Sequence, residues 1–312
     1  MNYASTRKAV TDGLLDVMKK NQKTILVSSD SALVIKAGDF IEKYPDHVME
    51  LGISEQAAMA ASAGIASCGL KPVYVSYAVF ASLRACDQLR NTVAYTGMDV
   101  KIVGANGGMG AGEREGVTHQ GLEDIGVIRS IPGVTILCPA DAGQVRKAVS
   151  AMMDIYGPVY LRIGSGRDPV FWKEDVPFEI GKCREFFNSG DELVIFSHGF
   201  VLPIVMEACK ELTKKDIKVR AVEVATIKPL NGKELLPYLK GCKAALVVED
   251  HNIIGGLGSA IAEYASENCP RPIIRIGLED RFTESGSPDE LYEKYGITRE
   301  NIVNKALNVL KN

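Results

Sequence analysis

Short apolar runs alternate with longer helical stretches along almost the whole chain, and that alternation leaves few folds open. "TILVSS" reads as a strand, and "SEQAAMAASAGIA" as a helix of small residues able to pack close to a neighbour. "KPVYVSY" is again a strand, followed by the helix "FASLRACDQLRNTVAYTG", which closes on a glycine where a C-cap belongs. "DVKIVGAN" gives a third strand and runs into the glycine-rich "GGMGAGEREG". "VTILCPA" and "DAGQVRKAVSAMMDIYG" add a strand–helix unit, with Asp141 and Gln144 at capping-box spacing, and "PVYLRIG" ends the series. Strands joined by helices run parallel and are covered on both faces. The expectation is an α/β fold of two doubly wound domains. The first spans 1–165. A linker over 166–189 holds several prolines and glycines and the chain's one tryptophan. A smaller domain over 190–312 resumes the alternation with "ELVIFSHG", "LPIVMEACKELTKK", "KVRAVEVAT", "AALVVED" and "GGLGSAIAEYASEN".

A length of 312 residues suits two domains at roughly 150 residues each. A net charge of -3 is too mild to argue for nucleic acid or a membrane surface, so neither is expected as a partner. Seven cysteines are scattered singly, an odd count with no C-x-x-C pair. This points to a reduced, cytoplasmic protein that uses its thiols as small core residues. The N-terminal "MNYASTRKAVTDGLLDVMKK" is an amphipathic helix without a signal peptide's apolar centre, and no apolar run is long enough to span a bilayer.

Ligands of open parallel sheets bind outside the carboxyl ends of the strands. Those ends carry Asp30, Glu55, Tyr77 and Phe80, and the loop with Glu115 and His119. Glu55 heads a run of alanines, glycines and serines with little to pair it. It is either a solvated first-turn glutamate favoured by the helix dipole or a carboxylate kept for a ligand. On their own Tyr77 and Phe80 read as core aromatics rather than as a cofactor box. His119 can cap the following helix, or donate to the oxygens of a bound sugar. The glycines of "GANGGMGAGEREG" leave room for a ligand but fit neither the P-loop nor the dinucleotide fingerprint.

Taken together, "GISEQAAMAASAGIA", "EREGVTHQGLEDIGVIRSIPG", "LCPAD" and "VVEDHNIIGGLGSAIAE" resemble transketolase, nearly end to end. The closer likeness is to the C-terminal half of a split transketolase made from two chains. The resemblance implies a pyrimidine-binding domain followed by a transketolase C-terminal domain. It implies thiamine diphosphate as cofactor and ketol transfer between a ketose and an aldose, with phosphorylated sugars as substrates. Glu55 matches the glutamate placed against N1′ of the aminopyrimidine, a task that suits a carboxyl in a dry slot because desolvation favours its protonated form. Tyr77 and Phe80 match aromatics that enclose the pyrimidine, and Ile53 and Leu83 fall among the cofactor contacts, Leu83 where many relatives carry another aromatic. Asp30 matches an acid near the thiazolium. His119 matches a histidine that contacts the donor's reacting oxygens, and Glu115 replaces an aspartate that reads a substrate hydroxyl.

Two departures matter. Val34 and Ser165 stand where many relatives carry a serine and an arginine for the substrate phosphate, leaving Arg162 and Arg167 as nearby candidates for an anion. The Gly-Asp-Gly motif that holds the diphosphate through Mg²⁺ is missing from this sequence. The ligands of that hard cation are therefore expected from a partner, an N-terminal transketolase subunit, most simply in a two-plus-two heterotetramer. In the distal domain "GGLGSA" reads as a tight strand-to-helix turn, Glu249 and His251 as structural polar residues, and dimerisation as the domain's work. The beta subunit of a 2-oxoacid dehydrogenase's decarboxylating component, deoxyxylulose-phosphate synthase and a non-catalytic scaffold subunit remain as alternatives.

Overall fold

A computed structural model describes residues 2–111, 115–172 and 175–311; Gly112–Arg114 of the glycine-rich stretch and residues 173–174 of the expected linker lie outside them. Two sheets form the body. The larger has seven strands in the order Thr226–Lys228, Thr135–Leu137, Val159–Arg162, Lys101–Ala105, Lys71–Tyr77, Thr24–Ser28, Val48–Glu50. All its neighbours pair in parallel except the first, which is antiparallel to Thr135–Leu137. The smaller has five strands, Ile273–Leu278, Ala244–Asn252, Leu193–Ser197, Val219–Glu223 and Arg184–Asn188, with only the last antiparallel.

The parallel strands are apolar on both faces because helices cover both. On one face, Ala9, Val10 and Leu14 of helix Thr6–Met18 and Val145, Val149 and Met152 of helix Ala142–Asp154 pack with Leu26, Val73, Val103 and Leu161. Gly13 makes the helix contact close: a Cβ there would stand 2.8 Å from that of Val149. On the other face, Ala58, Met59 and Ala63 of helix Glu55–Ser67 join Tyr74 and Ile102 in a core that continues into Val194, Phe196 and Val222 of the second sheet. Apolar contact therefore runs unbroken from one sheet to the other.

Three details differ from the sequence reading. The cap of helix Ala142–Asp154 is half of a capping box: Asp141 accepts from the Gln144 backbone N–H at 3.0 Å, while Gln144 Oε1 accepts from Ala140 N instead of turning back to Asp141. The stretch 80–94 is helical, but Phe80–Arg84 and Leu89–Ala94 wind as π turns. The strand Thr226–Lys228 leaves the distal sequence to finish the first domain's sheet, which no local pattern could reveal. Within the segment expected to link the domains, Asp168–Pro169 pairs with Tyr3–Ala4 and Arg184–Asn188 joins the second sheet. Among the described residues no helix is long and apolar enough to cross a membrane, and all seven cysteines are free thiols.

Candidate active site

The carboxyl ends of Thr24–Ser28, Val48–Glu50, Lys71–Tyr77 and Lys101–Ala105 form one rim, and the expected site residues follow them directly. Asp30 lies in the left-handed region at φ 59°, which a short acidic side chain tolerates. Its N–H donates to Glu50 Oε1 at 2.6 Å, and the same oxygen accepts from Gly52 N at 3.0 Å. Glu50 thereby ties together the two loops that lead to Asp30 and to Glu55.

Glu55 opens its helix with the side chain turned inward, only 3% exposed. Arg84 Nη1 donates to Glu55 Oε1 at 2.8 Å, and the guanidinium carbon stands 4.2 Å from the Phe80 ring centroid. Phe80 in turn meets His119 edge-on at 5.0 Å and Tyr77 at 5.7 Å, while Tyr77 and His119 are 4.9 Å apart. The structure thus brings Glu55, Tyr77, Phe80 and His119 into one chain of contacts, linked by Arg84. The sequence reading missed Arg84, although its spacing of four residues from Phe80 on a helix was the available signal. Ile53 and Leu83 flank this group with 74% and 45% of their surface exposed. Glu115 is exposed, and Thr118 Oγ1 lies 2.9 Å from His119 Nδ1.

The basic groups are distributed differently from the expectation. Arg162 is 2% exposed, its Nε donates to Asp124 Oδ2 at 2.9 Å, and its Nη2 donates to the carbonyls of Gly121 and Asp250 at 2.8 and 2.9 Å. Burial opposes the Arg162 charge most, but Asp124 together with Cys138 and Asp250 outweighs it and raises the pKa, while Arg162, His251 and Tyr160 together hold Asp124 below the usual carboxylate range against its own desolvation. The expectation that Arg162 holds a substrate anion is corrected by this placement, because a guanidinium sealed beside a carboxylate has no face left for a ligand. Arg167 is exposed and stacks 5.2 Å from the Tyr3 ring, beside Ser165, at a cavity of about 290 Å³ between the domains.

Arg7, which no pattern in the sequence singles out, reaches toward the rim from the first helix. Its Nη2 donates to Asn106 Oδ1, and its buried Nε has no partner among the described residues. Burial lowers its pKa, opposed by Tyr77, Glu115 and Asp168 nearby. Burial likewise raises the Tyr77 phenol, with the Glu115 charge adding to it.

The donor set fits an aminopyrimidine: a buried carboxylate for a ring nitrogen, with the Phe80 and Tyr77 rings adjacent. Among the described residues there is no group of three or more His, Cys, Asp or Glu side chains that could hold a metal ion.

Residues 2–166 match the transketolase pyrimidine-binding domain and residues 182–302 the transketolase C-terminal domain. The chain belongs to the transketolase family. It is 34% identical to the 6-deoxy-6-sulfo-D-fructose transketolase subunit SqwH of Clostridium sp. (strain MSTE9), over 96% of this chain and 92% of that one. It is also 34% identical to a subunit of the apulose-4-phosphate transketolase of Phocaeicola vulgatus, over 99% of both chains. A solved split-gene transketolase, described as an inactive beta4 tetramer, superposes with a TM-score of 0.91 at 33% identity and 99% coverage of each chain. Against the 1-deoxy-D-xylulose-5-phosphate synthase of Bacillus cereus (strain AH820) the identity is 31%, but the match spans 47% of that longer protein. This transketolase chain therefore corresponds, end to end, to one subunit of the split enzymes.

Proposed function

We propose that this chain supplies one half of a thiamine-diphosphate-dependent ketol transferase, the C-terminal subunit of a two-chain transketolase that moves a two-carbon unit from a ketose to an aldose. The observation that carries this reading is the buried Glu55 carboxylate on the same rim as the Tyr77–Phe80–His119 ring cluster. Bound thiamine diphosphate would supply a nucleophilic thiazolium carbon. Glu55 would hold a proton at N1′ of the aminopyrimidine, a positioned acid–base role. Phe80 and Tyr77 would enclose that ring, and Ile53 and Leu83 would keep water from it. Asp30 would place negative charge near the thiazolium, His119 would donate to the donor's reacting oxygens, and Glu115 would read a substrate hydroxyl.

The pyrimidine-binding unit is taken as 1–165 and the C-terminal unit as 190–312, joined by 166–189. Mg²⁺ and its ligands are assigned to an N-terminal partner subunit in a two-plus-two heterotetramer. The inactive state of the solved beta4 relative supports a need for that partner. The seven free thiols support a reducing cytoplasmic setting. For the substrate, Val34 and Ser165 at the phosphate positions, with relatives named for a sulfo sugar and for apulose 4-phosphate, favour a distal end unlike that of the usual ketose phosphate. Arg7, whose Nε has no partner among the described residues, is the better candidate to hold an anion there.

Co-expression with an N-terminal subunit, followed by a ketol-transfer assay with thiamine diphosphate and Mg²⁺, tests the reading. Activity only in the mixture is expected. Turnover by this chain alone would remove the partner from the account, and carbon dioxide release from pyruvate would move it to the decarboxylating enzymes. Xylulose 5-phosphate as the best donor by a wide margin would sink the substrate assignment.

A further inference from the structure

The loop that carries His119 is held by the C-terminal domain as well as by its own. On the entering limb, Asp250 Oδ1 accepts from Met109 N at 2.8 Å, and Oδ2 accepts from Gly110 N at 3.4 Å and from Tyr292 Oη at 2.8 Å. Gly108, at φ 98°, permits this approach, since a Cβ there would collide with the Asp250 carboxylate. On the leaving limb, Gln120 Nε2 donates to Glu284 O at 3.1 Å and its Oε1 accepts from Thr283 Oγ1. Asn252 N donates to Leu122 O at 2.8 Å. The two limbs are tied to one another by Gly108 N donating to Gly121 O at 2.7 Å. Arg162 closes the circle: one nitrogen donates both to Gly121 O and to Asp250 O.

Asp250 is therefore engaged with both limbs, through its carboxylate on one side and through its carbonyl and Arg162 on the other. It is 2% exposed and Gln120 is 1% exposed, so these bonds are shielded from water, where a lost partner is costly. Short loops left to themselves open at low free energy. Here the backbone donors at 109–110 and the carbonyl of Leu122 are satisfied by another domain. The His119 ring, two residues before Gly121, rests edge-on against Tyr77 and Phe80, and its position follows that of the limbs.

We propose that Asp250 is a positioning residue for His119, and that the C-terminal domain is the mould of the donor-binding loop. The proposal rests on the ketol-transfer reading for the role of His119. A ligand contact displaced by about an ångström can cost up to a hundredfold in rate, so loosening this anchor acts on the donor step without touching the donor.

The test has two arms. Hydrogen exchange of the full chain, read by mass spectrometry, compares wild type with Asp250→Asn. Expected is at least a tenfold faster exchange in peptides covering 107–122, with the strand peptides at 24–28 and 193–197 unchanged. Unchanged exchange at 107–122 overturns the proposal. In the assembled enzyme, Asp250→Asn is expected to lower kcat/KM for the donor at least tenfold, and to cause no further loss in a His119→Ala background, because both changes remove one interaction. Losses that simply multiply overturn it. Should Asp250→Asn fail to fold, Tyr292→Phe removes one donor from the same carboxylate, and the same pattern at smaller amplitude is required of it. An assembled wild-type enzyme without ketol transfer would sink the function, while the exchange arm would still decide whether Asp250 holds the loop.

Discussion

Arg84 donates to Glu55 at 2.8 Å while its guanidinium carbon lies 4.2 Å from the Phe80 ring, so one cation covers both the carboxylate and the aromatic of the candidate cofactor slot. The arginine is half exposed and the carboxylate is not: the Arg84 side chain keeps 46% of its surface and that of Glu55 4%. A buried carboxylate without a partner is destabilising, whereas an exposed arginine without one is nearly neutral. Glu55→Gln is therefore expected to leave folding and assembly intact and to lower ketol transfer by about a hundredfold or more, the span of a lost acid–base group. Turnover and size-exclusion profiles of the same preparation check it. Turnover within threefold of wild type would return Glu55 to the role of an ordinary first-turn glutamate.

Phe80 offers a test that separates binding from chemistry. Its ring lies in the contact chain with His119 and Tyr77, and stacking with a second ring contributes about 0.5–1.5 kcal/mol. Phe80→Leu keeps most of the apolar volume. Expected is a twofold to tenfold weaker apparent affinity for thiamine diphosphate in the assembled enzyme, with kcat at saturating cofactor changed less. Cofactor titration of activity decides between this and a purely structural aromatic, which would lower thermal stability and leave the titration midpoint in place.

The two arginines Arg162 and Arg7 should part company in mutagenesis. Arg162→Leu leaves Asp124 fully buried without its cation, a loss of about 3–5 kcal/mol in stability measured by urea denaturation. Arg7→Ala removes a cation whose Nε has no partner among the described residues. Expected is a loss of about tenfold or more in kcat/KM for anionic donors, the scale of one charge-assisted hydrogen bond, and little change for an uncharged donor analogue. Equal losses with charged and neutral donors would show that Arg7 only supports Asn106.

Much of this architecture was legible because the strand–helix alternation is a local property of the sequence. The runs "TILVSS", "KPVYVSY" and "DVKIVGAN" become neighbouring parallel strands, and their carboxyl ends collect Asp30, Tyr77 and the His119 loop where such sheets place ligands. What stayed hidden depends on contacts distant in sequence. Arg162 and Arg167 look alike in "LRIGSGRDP", yet one is sealed against Asp124 and the other is exposed on Tyr3. Arg7 sits on a helix whose pattern is merely amphipathic. Thr226–Lys228 reads as a fragment of the second domain until the edge of the first sheet is seen to need it. Asp250 belongs to "VVEDHN", where nothing announces that its partners are the amides of Met109 and Gly110.

Glu223 gives a prediction in pH. It is 1% exposed, and burial, with the Asp141 charge adding to it, pushes its carboxyl up to about 7 from an ordinary 4.5, against the opposing pull of Gln144, Arg184 and Trp172. Gln144 Nε2 and Trp172 Nε1 both donate to its Oε2, at 2.9 and 3.2 Å, so it joins the first domain, the connecting segment and the second sheet. The folded state binds more protons than the unfolded one between pH 4.5 and 7. The contribution of Glu223 to stability is thus fully present below the unfolded value and is lost as pH rises through the folded value, by up to about 3 kcal/mol. Glu223→Gln should remove that slope and stabilise the chain at pH 8 relative to wild type. Trp172 is the one tryptophan in the sequence, so its emission during urea denaturation at pH 5, 6, 7 and 8 reports the junction itself. Parallel stability–pH curves for wild type and variant would mean that Glu223 stays ionised in the fold, held by its two amide and indole donors.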